Sequence, residues 1–214
     1  MNDAQLMQKI RNEMGDYIAG AVEGTPFPPA LVAALVANES SGQANLQRFE
    51  PAVFAELARV ITLQKTNYAP AGCKKPLAQT DLMPHVWPQT LVGSTGKSSE
   101  VFTFPQGVQA LQNLATSYGP TQIMGWHSIE FGYPLGDLPN LQRHFDRAVE
   151  LLAWFGERYE MMESSLSETE FATAIFHCWN TGSPVAPTYD PDYVAHGLAR
   201  MALYGETTAE TAAD

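Results

Sequence analysis

Apolar positions recur every three to four residues over much of this chain, the spacing that gathers side chains on one side of a helix. In "MNDAQLMQKIRNEMGDYIAG", residues 1–20, Leu6, Ile10, Met14 and Tyr17 fall on one face. Residues 28–40 open with Pro28-Pro29, which suit a first helical turn, and end before Gly42, a residue suited to a C-terminal cap. Residues 105–116 group Val108, Leu111 and Leu114. The longest pattern lies in "NLQRHFDRAVELLAWFGERYEMMESSL". There Leu141, Phe145, Ala148, Leu152, Phe155, Tyr159 and Met162 step by four and three. That stripe fits an isolated coiled coil or a central helix inside a globular domain. Trp154, an apolar position beside the stripe, favours the central helix. Ser167 and Glu170 have capping-box spacing for a helix through Trp179. A last helix is expected from about Pro191 to Tyr204, stopping at Gly205.

Residues 62–104 break the pattern. They are rich in Pro, Gly, Ser and Thr, and the short pieces "TLV" and "VFTF" suggest a small hairpin. A stretch this long without helical periodicity is usually functional or mobile. The expected architecture is mainly α: one helical domain over 1–205 with a β-hairpin/loop insertion at 62–104, then a flexible tail at 206–214.

Composition narrows the function. At 214 residues and 45% hydrophobic, the chain has material for a full core without the long apolar runs of a membrane protein. The formal net charge of −11 argues against non-specific nucleic-acid binding and against simple attraction to anionic surfaces. The N-terminus has no basic segment followed by an apolar one, so no secretory signal is read there, and a chain made in the cytoplasm would need some other route to an outside target. Cys73 and Cys178 form no CxxC pair, and free thiols are expected. The five histidines show no metal-binding spacing, so neither a metal nor another cofactor is expected.

The stretch "LVAALVANESSGQANLQRFEPAVF", residues 31–54, carries the candidate chemistry. Leu31, Leu35 and Glu39 share a helix face by their spacing. A carboxylate at the end of an apolar face loses solvation and meets the negative end of the helix dipole. Both effects favour its protonated form, which a general acid needs. The segment taken alone fits better a glutamate that simply faces water at a fraying helix end.

Two further segments make a set with it: "SYGPTQIMGW", residues 117–126, and "HCWNTGSP", residues 177–184, followed by a tyrosine in "TYDPDYV". In this order they resemble the lysozyme-like superfamily, above all soluble lytic transglycosylases, goose-type lysozymes and the N-acetylmuramidase domain of phage endolysins. "RFEPAVF" resembles the N-acetylmuramidase group in particular. The likeness spans about residues 28–204. It implies a lysozyme-like fold, a peptidoglycan glycan strand as partner and cleavage of the β-1,4 bond between N-acetylmuramic acid and N-acetylglucosamine. It also implies site roles: Glu39 as catalytic acid, Gln122 and Met124 lining the cleft, Ser117 as a helper hydroxyl, and Asn180 and Tyr193 orienting the sugar or the acid. Tyr118, Trp126 and Trp179 offer aromatic faces for pyranose rings, although most such rings are expected in the core. Glu50 is the expected auxiliary carboxylate for a hydrolase, and a salt bridge to Arg48 or a helix N-terminal charge before Pro51 fits it about as well. A lytic transglycosylase and a non-catalytic wall-binding module are the alternatives. The chain departs from the resembled pattern at Pro120-Thr121, before the glutamine, at Trp179, where tyrosine is common, and in its acidity.

Overall fold

The computed structural model describes residues 1–86, 104–162 and 164–211. In chain order the helices are α1 (Asp3–Val22), α2 (Pro29–Ser40), α3 (Pro51–Ile61), α4 (Gln79–Val86), α5 (Phe104–Leu114), α6 (His127–Phe131), α7 (Leu141–Arg158), α8 (Glu168–Thr181) and α9 (Tyr193–Thr211). The strands are short: β1 (Gln47–Phe49), β2 (Asn67–Tyr68), β3 (Leu77–Ala78), β4 (Thr116–Tyr118) and β5 (Ile123–Met124). The mainly α expectation holds. The chain forms two compact units, the first from Met1–Leu46, Tyr118–Ile123 and Gly136–Asp214, the second from Gln47–Ser117 and Met124–Leu135.

Unit one is built around α2. The expectation of one apolar face understates it, because every residue from Leu31 to Ala37 is buried. A helix apolar all round must be enclosed, and α1 and α9 both pack on it. Each fully buried aliphatic side chain there contributes about 1.5–3 kcal/mol. The helix stops because Ser41 (φ 50°) and then Gly42 (φ 75°) turn left-handed. Their amides return to Ala37 and Val36 carbonyls.

α1 starts at an Asn2–Gln5 capping box and buries Leu6, Ile10, Met14, Ile18 and Val22. Tyr17, expected on that stripe, is 39% exposed. The buried row keeps stepping by four from Met14 to Ile18, leaving Tyr17 beside it. α7 buries Phe145, Ala148, Leu152 and Phe155 as its stripe requires. The stripe does not reach Met162, which is 38% exposed while Met161 is buried. α7 ends at Arg158 and Glu160 turns left-handed, so helical spacing no longer applies. α8 starts at the expected Ser167–Glu170 capping box. α9 runs on through Gly205 to Thr211. Gly205 is not among the residues of positive φ, and a glycine stops a helix when it takes that conformation.

Unit two has its own core of Leu57, Val60, Leu77, Leu82, Val86, Leu111, Leu114, Ala115 and Trp126. Its hairpin pairs β2 with β3 antiparallel, Asn67 opposite Ala78 and Tyr68 opposite Leu77. The hairpin was expected from "TLV" and "VFTF" instead. Residues 90–92 and 101–103 lie outside the described residues, and Phe104 opens α5. β1, β4 and β5 form a three-stranded sheet in that order. Among the described residues, no helix is long and apolar enough to cross a membrane.

Candidate active site

Glu39 stands in the last turn of α2 and is half-buried. The Tyr193 hydroxyl, on the first residue of α9, donates to its Oε1. Burial, joined by the Glu39 charge and by this bond, holds the Tyr193 hydroxyl well above the ordinary phenol range. It therefore stays an O–H donor at neutral pH. The Tyr193 ring is set by the edge of Phe176 on α8, with centroids 6.2 Å apart. Gly197, one turn along α9, lets Phe176 in: a Cβ there would lie 2.6 Å from that ring.

The backbone around the pair is tied by residues that sequence reasoning missed. The Asn38 side chain donates to the Tyr193 backbone carbonyl at 3.0 Å, and Arg200 donates to the Asn38 side-chain oxygen, Oδ1, at 2.7 Å. Arg200 also reaches Asp3 at 3.0 Å. A signal for Arg200 existed, since Tyr193, Gly197 and Arg200 fall at i, i+4 and i+7 on one face of α9. Asn38 gave no such signal.

The second feature of unit one is the turn Tyr118–Ile123. Gln122 is buried with φ 56°. Positive φ is uncommon for a non-glycine residue and persists only where surroundings enforce it. The Gln122 side-chain amide donates to the Gly119 carbonyl at 2.8 Å and to the Leu46 carbonyl at 3.2 Å. His144, fully buried, accepts from the Thr121 hydroxyl at 2.8 Å and the Thr121 amide at 3.3 Å through Nε2. Its Nδ1 donates to the Leu138 carbonyl at 3.0 Å. Burial pushes the imidazole down to about 4, so it is neutral and Nε2 remains an acceptor. Trp179 donates its indole N–H to the Thr121 carbonyl at 3.1 Å. The two sequence departures, at Thr121 and Trp179, thus bond to each other.

Other expected site residues lie as follows. In unit one, Asn180 lies in the last turn of α8 and accepts the Tyr189 amide at 3.0 Å, and Tyr118 is buried. In unit two, Ser117 is buried and donates to the Arg48 carbonyl at 3.3 Å. Met124 packs against the core of that unit, which contains Trp126 at 2% exposure. Trp126 therefore has no open face for a sugar. Glu50 precedes α3 and pairs with Arg48 at 2.6 Å. The structure joins Glu39 to Tyr193 directly and places Glu50, Ser117 and Met124 in the other unit.

No family model, curated protein or solved structure matches this chain. Its chemistry rests on its own residues. Among the described residues, no group of three His, Cys, Asp or Glu side chains is placed to hold a metal. Cys178 is buried, which pushes its thiol up to about 12 and removes it as a nucleophile. In unit one, a half-buried carboxyl held by a phenol hydroxyl stands in the last turn of α2.

Proposed function

We propose that this protein is a peptidoglycan-cleaving glycosidase with a lysozyme-like fold in which Glu39 is the general acid. It protonates the oxygen of the β-1,4 bond between N-acetylmuramic acid and N-acetylglucosamine. The observation that carries this reading is the Tyr193–Glu39 hydrogen bond at the end of an enclosed helix. A general acid must be held in one orientation, because proton transfer needs heavy atoms about 2.6–3.2 Å apart. Tyr193 fixes one carboxyl oxygen, and Asn38 and Arg200 fix the backbone that presents the pair. Neutral sugar contacts must supply affinity, since a chain of net charge −11 gains nothing from an anionic wall.

Purified peptidoglycan sacculi test the reading by loss of turbidity. Glu39→Gln keeps the shape and removes the transferable proton, and its rate is expected to fall at least ~100-fold. Clearing at the wild-type rate would overturn the assignment.

A lytic transglycosylase is the second reading, and the Arg48–Glu50 pair favours it. A hydrolase was expected to use Glu50 to activate water. An oxygen already engaged by a guanidinium is one acceptor fewer for that task. Transglycosylation needs only one carboxyl, because the 6-hydroxyl of the muramic acid is already tethered. Mass spectrometry of released muropeptides separates the two: reducing ends mean hydrolysis, 1,6-anhydro ends mean transglycosylation. A non-catalytic wall-binding module would bind sacculi and release neither.

A further inference from the structure

The segment 183–192 joins α8 to α9 and reads "SPVAPTYDPD", with three prolines limiting its backbone. Side chains at the end of α8 fix it further. His177 bonds the Ala186 carbonyl through Nδ1 at 2.8 Å, and Thr181 donates to the Ser183 carbonyl at 3.1 Å. Asn180 accepts the Tyr189 amide at 3.0 Å. Beyond it, Asp190 accepts the Asp192 amide at 3.0 Å, and the Tyr193 amide returns to the Asp190 carbonyl at 3.1 Å. The backbone of Tyr189 is thus tied down on both sides, yet its side chain is 83% exposed.

A phenol ring left in water on a pinned backbone gains little from folding. It is well suited to binding, because few degrees of freedom are lost when a partner covers it. Of the three aromatic residues that offered faces to sugars, two are used in packing and the third is half-buried. Tyr118 and Trp126 are buried, and Trp179 is tied to the Thr121 carbonyl. Tyr189 lies one turn of chain before Tyr193, the residue that holds Glu39. Its phenol ring presents a flat face of the kind that stacks on a pyranose.

We propose that Tyr189 is a stacking platform for an N-acetylhexosamine ring of the glycan, with Asn180 as its positioning residue. The proposal rests on the reading of this protein as a glycan-cleaving enzyme. It recasts Asn180, whose carbonyl oxygen is committed to the Tyr189 amide and not offered to the sugar.

The test uses the full chain carrying Glu39→Gln, which leaves substrate intact, and the β-1,4-linked N-acetylglucosamine tetramer as probe, with calorimetry as readout. Adding Tyr189→Ala is expected to raise Kd at least ~10-fold, as truncation of an aromatic hot spot does, while Tyr189→Trp stays within ~3-fold of the parent. Asn180→Ala should fall between, since it frees the loop without removing the ring. Equal affinity in the parent and the Tyr189→Ala protein overturns the platform and leaves the enzyme reading standing. Failure of the parent to bind the tetramer overturns the platform, whereas the enzyme reading is decided separately by sacculus clearing. Position 189 is exposed, so near-UV circular dichroism of the Tyr189→Ala protein should match the parent.

Discussion

The Tyr193 hydroxyl donates to the Glu39 carboxylate across 154 positions of sequence, joining the first residue of α9 to the last turn of α2. Tyr193→Phe removes the donor and keeps the ring against Phe176. Such a hydrogen bond contributes about 0.5–1.5 kcal/mol, and urea unfolding should register a loss of that order, since Glu39 is only half-buried. Sacculus clearing should slow roughly tenfold or more, as a positioned acid loses its orientation. Unchanged clearing would separate the bond from catalysis.

Arg200 is the anchor behind that pair. Its side chain is 17% exposed and bonds both Asn38 and Asp3. The Asp3 side chain is 42% exposed, so that ion pair contributes little. The Asn38 bond matters more, and Arg200→Met should cost about 1–3 kcal/mol in urea unfolding. Arg200→Lys should recover little, because an ammonium cannot reproduce the planar fork that reaches two partners. Full stability in Arg200→Lys would show that charge alone suffices.

Gly197 tests whether packing controls the acid. An alanine Cβ at this position would lie 2.6–2.8 Å from the Phe176 ring. Overpacking of this kind costs about 1–3 kcal/mol and should displace the ring that sets Tyr193. Gly136→Ala, with nothing within 4 Å, is the matched control. Gly197→Ala should melt lower than the control and clear sacculi more slowly; identical behaviour of the two would refute the packing link.

His144 predicts a pH dependence. Its folded value, about 4, lies below the ordinary imidazole value of about 6.5. The unfolded chain therefore binds the extra proton first. Stability from this group is complete above pH 6.5, declines as pH falls towards 4 and levels off below it. The full loss is about 3 kcal/mol, the shift converted at 1.36 kcal/mol per unit. Buried His127 is also shifted down by burial and adds a slope of the same sign. The comparison is therefore between wild type and His144→Asn. Between pH 6.5 and 5, urea midpoints of the variant should fall less steeply, though from a lower starting stability.

Local order was legible because its causes are local. The Ser167–Glu170 box marks the start of α8, and the four-and-three stepping marks α7, since capping and periodicity involve neighbours in sequence. Small errors came at helix ends. Met162 lost its place to Met161 once Glu160 turned left-handed, and no spacing rule carries past such a residue.

The sequence by itself determined a mainly helical chain, an apolar helix α2 and an acid in its last turn. These follow from residue type and period alone. Tertiary structure decided what the acid meets. Tyr193, Asn38 and Arg200 converge only because α1 and α9 pack on α2. Packing also decided which aromatic rings were used up: Trp126 vanished into a core, and Tyr189, for which the sequence carried no reading, stayed in water. Burial is a property of what surrounds a side chain in space, and no local pattern encodes it at a single position in a loop.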